Sequence, residues 1–104
     1  MVVEIDIFSG RPNPRWRLSE AETARLTRLL RSLDPATGGP PPGPPGLGYR
    51  GVRLRDSNGL TWSAYRGFVQ SPDGLLADPD RRVERFVLEH LPAEYEALRS
   101  SLEI

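Results

Sequence analysis

The chain has no cysteine and no lysine among its 104 residues. Without cysteine, disulfides and thiolate metal sites are both excluded. The single histidine, His90, is too few for a histidine-rich metal centre, and no metal or cofactor is expected. No apolar run reaches the length of a membrane-spanning helix. The opening Met-Val-Val-Glu carries no basic segment ahead of an apolar one. No secretory signal or membrane association is therefore expected, and a cytoplasmic location is the default.

The absence of lysine makes all 14 basic residues arginine, and 14 acidic residues balance them to a formal net charge of zero. One reading of this composition is codon bias in a GC-rich genome. The functional counterpart is selection for bidentate recognition of carboxylate or phosphate, which guanidinium does better than ammonium. Overall neutrality argues against a nucleic-acid partner, because such binding rests on a positive surplus that displaces counterions.

Proline and glycine are abundant instead, at 11 and 10 residues. The most informative cluster is Ser9-Gly10-Arg11-Pro12-Asn13-Pro14, directly after the apolar run Val2 to Phe8. Its two prolines fix their own φ and push Arg11 and Asn13 toward extended conformations. Gly10 permits the turn before them. The corner presents one guanidinium and one carboxamide in a fixed geometry. Arg11 is suited to grip an anion and Asn13 to bond a peptide backbone. The structural alternative pairs Arg11 with Asp6 or Asp56 and makes Asn13 the cap of a turn. Trp16, just beyond, is either a core anchor or an exposed binding aromatic.

The length fits one domain, residues 1–104. Residues 2–8 alternate as a strand with Val3, Ile5 and Ile7 inward. Residues 20–33 read as a helix, with Ser19 and Glu22 as a capping box and Leu26, Leu29, Leu30 and Leu33 as its core stripe. Residues 35–48 hold six prolines and five glycines and form a loop, a connector or a proline-rich ligand segment. Residues 49–56 and 60–69 read as a hairpin about a type I′ turn at Asn58-Gly59. Val52, Leu54, Trp62, Ala64 and Phe68 then face the core, and Arg66 falls inward unless a bulge at Gly67 re-aims it. Ser71-Pro72-Asp73-Gly74 is a turn. A second helix starts with Asp78 as N-cap and Pro79 at its first position. Val83, Phe86, Val87, His90 and Leu91 line its apolar face. Pro92 opens a short third helix with Tyr95, Leu98 and Leu102 inward. The expected fold is α+β, β-α-β-β-α: a three-stranded sheet covered on one face by two helices, with a short C-terminal helix. If the first two strands are parallel neighbours, their crossover is right-handed.

The open face of that sheet carries the functional candidates. Alternation puts Glu4, Asp6 and Phe8 there from the first strand, with Tyr49, Arg53 and Arg55 from the second. Thr61, Ser63 and Tyr65 follow from the third. One outcome is a solvated face of cross-strand ion pairs. The other is a shallow groove walled by Tyr49 and Tyr65, with charged residues as specificity contacts. The candidate ligand-binding set is Asp6, Arg11, Asn13, Tyr49, Arg53 and Tyr65.

The strand Glu4-Ile5-Asp6-Ile7-Phe8, the hexapeptide after it and Gly48-Tyr49-Arg50-Gly51 behind a proline-rich loop resemble small hypothetical proteins from high-GC bacteria. The resemblance covers the first half of the chain and implies no activity, substrate or catalytic residue. The functional expectation is a binding or accessory domain for a peptide, a partner protein or a small anion. A second copy of the chain is a candidate partner, by strand addition at a sheet edge. The alternative is a small enzyme with Glu4 and Asp6 as acid and base and Arg11 as anion clamp. A third reading is a structural subunit of a larger assembly.

Overall fold

Three short strands absent from the sequence reading, and one long strand that breaks in two, change the architecture. The computed structural model describes residues 1–37, 43 and 48–102. Its strands are β1 (Val2–Ile5), β2 (Arg15–Arg17), β3 (Asp34–Pro35), β4 (Val52–Arg55), β5 (Thr61–Tyr65), β6 (Phe68–Ser71) and β7 (Gly74–Ala77). The helices are α1 (Glu20–Ser32), α2 (Arg82–Glu89) and a 3-10 helix at Ala93–Ser101. All seven strands join one antiparallel sheet in the order β2-β1-β4-β5-β6-β7-β3. The expected three-stranded sheet is thus corrected to seven strands. β1 and β4 are neighbours but antiparallel, so the expected crossover does not arise.

The hexapeptide is the reason for β2. It closes a hairpin instead of leading straight to α1. Asn13 Oδ1 accepts from the Ile7 and Phe8 N–H groups at 3.0 and 2.8 Å, and Ile5 N donates to Pro14 O at 3.0 Å. The carboxamide satisfies two backbone donors that the turn would otherwise strand. The chain then returns beside β1 with Val3 opposite Trp16. Trp16 faces inward and packs against Tyr95 of the 3-10 helix, ring centroids 6.0 Å apart.

The 60–69 segment breaks at Arg66-Gly67, both with positive φ (44° and 95°), so β6 turns back on β5. This corrects two placements. Arg66 sits exposed in the turn, and Phe68 lies on the same side of the sheet as its partner Tyr65, not with Ala64. At the first hairpin only Gly59 has positive φ. Asp56 Oδ1 accepts from both Asn58 N and Leu60 N at 2.9 Å, and Gly59 N donates to Asp56 O at 3.1 Å. A three-residue loop with glycine in the left-handed position replaces the expected two-residue type I′ turn.

α1 carries the capping box read from Ser19 and Glu22. Glu22's carboxyl lies below its ordinary range, chiefly because the Ser19 backbone N–H donates to it. α2 begins later than expected, after Arg81 in the left-handed region. Asp78 still satisfies its first donors: the carboxylate accepts from Arg82 N at 3.0 Å and Val83 N at 2.9 Å. Asp78→Ala strips both bonds inside a buried corner and is expected to cost about 2 kcal/mol. Asn at that position keeps an acceptor and should cost less; equal urea midpoints for the two variants would remove the carboxylate from the account.

The core lies between the sheet and the helices. Val3, Ile5, Val52, Leu54, Ala64 and Val69 from the strands meet Leu26 and Leu30 of α1 and Val83 and Val87 of α2, all buried. Leu102 is buried and Tyr95 half-buried behind them. The proline-rich 35–48 segment starts as strand β3 at Asp34–Pro35; its positions 38–42 and 44–47 lie outside the described residues. Among the described residues no helix is long and apolar enough to cross a membrane.

Candidate functional site

Alternation along β1 sends Val3 and Ile5 into the core and leaves Val2 and Glu4 on the opposite face. The register then decides what surrounds them. Val2 is opposite Arg17 on β2 and Arg55 on β4; Glu4 is opposite Arg15 and Arg53. Arg53 and Arg55 in turn face Ser63 and Thr61 of β5. Four guanidiniums therefore converge on one sheet face around a single strand. Together with Met1, Asp56 and Ser57 they line a groove of about 850 Å³. A smaller hollow of about 420 Å³, bounded by Arg11, Pro12 and Asn13, shares Glu4 and Arg15 with it.

Glu4 is the hub. It accepts from Asn13 Nδ2 at 3.0 Å and Arg15 Nη2 at 2.9 Å, and Arg53 lies 3.5 Å away. Burial opposes its charge, but the Asn13 and Arg15 hydrogen bonds and the Arg53 charge together outweigh burial. The carboxyl is held below its ordinary range. Asp6 is bound by Arg50 at 2.9 Å and Arg53 at 3.2 Å. Arg50 also donates to Phe8 O at 3.0 Å, which ties the corner to the strand before β4. Arg17 and Arg55 differ from these residues. Both are exposed, and neither has a hydrogen-bond or ion-pair partner among the described residues.

Of the six candidate residues, the fold brings Asp6, Asn13 and Arg53 together around Glu4. Asn13 uses its oxygen on the Ile7 and Phe8 amides and its nitrogen on Glu4. Arg11 is exposed at the rim, its guanidinium 3.8 Å above the Phe8 ring. Neither tyrosine is among the groove's lining residues. Tyr49 is on the wrong side for a groove wall: it is 2% exposed and donates to Glu84 of α2 at 2.5 Å. A bulge explains the reversal. Asp6 N donates to Gly51 O while Arg50 N donates to Asp6 O, so one residue of the first strand opposes two of the other. Alternation slips by one, and Tyr49 turns inward. Tyr65 is half-buried, its ring 6.0 Å from that of Tyr49.

Sequence reasoning missed Arg15 and Arg17 altogether and left Arg55 outside its candidate set. The signal was the alternation Arg15-Trp16-Arg17, which places two cations on one face of a strand if the tryptophan goes inward. Glu84 was missed as well. It is 1% exposed, takes two hydrogen bonds from Arg81 at 2.6 and 3.1 Å, and accepts from Tyr49. His90 joins the helices: its Nδ1 lies 2.7 Å from Phe86 O, and its Nε2 lies 3.1 Å from Arg25 and 3.7 Å from Glu22.

The sheet ends are short. β2 has three residues, two of them arginine, and β3 has two, one of them proline. Short, charged or proline-bearing edges discourage strand addition. No family model, no curated protein and no solved structure matches this chain.

Proposed function

We propose that this is a small binding domain whose open sheet face takes an anionic ligand. One observation carries the reading: Arg17 and Arg55 flank Val2 at the groove floor with no carboxylate partner among the described residues. Elsewhere on the face, arginines are paired with acids. A guanidinium left without a partner in a concave site holds its donors ready for an incoming oxyanion. The acid–base alternative has less support. An acid needs a raised carboxyl, whereas Glu4 is held low by a hydrogen bond from Asn13 and by two arginines.

Glu4 opposes any anion that enters. Glu4→Gln keeps an acceptor for Asn13, removes one negative charge and releases Arg15. Sulfate affinity measured by calorimetry should rise roughly fivefold, as expected for one screened charge a few ångströms from the ligand. Acid mimics the substitution. Glu4 stays ionised until pH falls through its lowered range, and below that the wild type should gain on the variant until the two coincide. Heats no larger than those of chloride at matched ionic strength would defeat the anion reading.

A further inference from the structure

The geometry points to a phosphomonoester dianion, carried by a small molecule, as the group that Arg17 and Arg55 hold above Val2. This rests on the anion-binding reading and narrows it. Arg17 and Arg55 stand on the two strands that flank β1, both opposite Val2. Their backbones are therefore two strand spacings apart, roughly 10 Å. Side chains of arginine length rising from either side of the small Val2 can meet one anion between them. They approach it from opposite directions.

That arrangement separates anion shapes. A planar carboxylate can accept from two arginines, as Glu4 and Asp6 do on this face, but its lone pairs lie in one plane. A tetrahedral phosphoryl group has three terminal oxygens in different directions and can serve two opposed forks at once. Thr61, opposite Arg55, lines the groove and adds a neutral hydroxyl donor within the same wall. Charge favours the same class. Glu4 sits one alternation step along β1 and repels any anion, but the two arginines beside Val2 outweigh that single charge, so the net attraction grows with the ligand's negative charge.

The remaining lining indicates a small carrier. Among the described residues lining the groove none is aromatic, so none offers a face on which a nucleic-acid base would stack. Formal net charge is zero, which removes the counterion-release drive for a long polyanion. The groove's 850 Å³ lies within the range of small-molecule sites. Arg28, on α1, is also exposed and unpartnered among the described residues, but it does not line the groove. It serves as the control.

The test is a side-chain NMR titration of the intact chain near pH 8, where a phosphomonoester is fully dianionic, its second pKa being about 6. The probes are glycerol phosphate, inorganic phosphate and malonate, the last a dianion built from planar carboxylates. Glycerol phosphate should shift the Arg17 and Arg55 Nε–H signals and leave Arg28 still. It should bind about tenfold tighter than malonate and at least as tightly as inorganic phosphate. Arg17→Gln and Arg55→Gln should each weaken it about tenfold, and Arg28→Gln should not. Malonate binding equally well at the same two arginines would overturn the phosphoryl assignment while leaving an anion site. Inorganic phosphate binding far more tightly than the ester would overturn the small-molecule carrier. Silence at Arg17 and Arg55 with every probe would overturn this inference and the anion-binding reading together.

Discussion

Replacing Gly51 with alanine is expected to destabilise the fold by about 3 kcal/mol. Two effects add. Gly51 has φ of +106°, where a side chain is strained, which costs roughly 1–2 kcal/mol. A methyl group there would also lie 2.5 Å from the Ala64 carbonyl oxygen and 3.1 Å from Tyr65 Cβ. The first contact is backbone in the next strand and cannot swing aside. Relieving it means moving β5 away from β4, with an overpacking cost of about 1–3 kcal/mol. Gly59 separates the two contributions. Its φ is +82°, but a Cβ there meets nothing within 4 Å. Gly59→Ala should therefore show only the conformational share, roughly 1 kcal/mol. Urea unfolding of the two variants decides the matter: losses of equal size would mean that close packing at Gly51 contributes nothing. The glycine has a further role, because its bulge turns Tyr49 inward and leaves Arg50 to bind Asp6. Gly51→Ala should consequently weaken sulfate binding as well, through the Arg53 strand.

The parts of this fold that were legible in the sequence are those specified by a few adjacent residues. The capping box of α1, its leucine stripe and the inward face of β1 all depend on spacing within a helix turn or a strand. What escaped depended on partners far along the chain. Arg15-Trp16-Arg17 is too short to show a strand period, and it becomes a strand only because Asn13 reverses the chain against β1. The break after Tyr65 was hidden because alternation ran on through Arg66, and arginine gives no hint of positive φ. Tyr49 was placed outward by a correct alternation that a single bulge then displaced. The candidate site suffered in the same way. Glu4, Asp6 and Arg53 were put on one face by period alone. The unpartnered pair Arg17 and Arg55 emerges only from two registers that meet at Val2.

Glu84→Ala is expected to cost about 3 kcal/mol, and its partner Tyr49 gives the reason a pH signature. The Glu84 carboxylate sits almost entirely out of water between the Arg81 guanidinium and the Tyr49 hydroxyl. Removing one member of a buried charged cluster typically costs about 3–5 kcal/mol, because its partners keep their desolvation and lose their bonds. Arg81 is partly exposed and can recover water, which sets the expectation at the lower end. Tyr49→Phe removes one bond and leaves the ion pair, for about 1–2 kcal/mol. The double variant should lose less than the sum, since both single changes break the same bond. Alkali reports the cluster independently. Burial first, and the adjacent Glu84 charge second, push the Tyr49 hydroxyl well above its ordinary value of 10.0. The folded-state value exceeds the unfolded one, so the stabilisation is complete below pH 10 and is lost as pH climbs toward the folded value. Above pH 10 the unfolded chain releases a proton that the folded chain retains, and stability should fall by about 1.4 kcal/mol per pH unit from this group. Tyr49→Phe should flatten that part of the decline. An unchanged alkaline slope in Tyr49→Phe would mean that the phenol is not held neutral by this cluster.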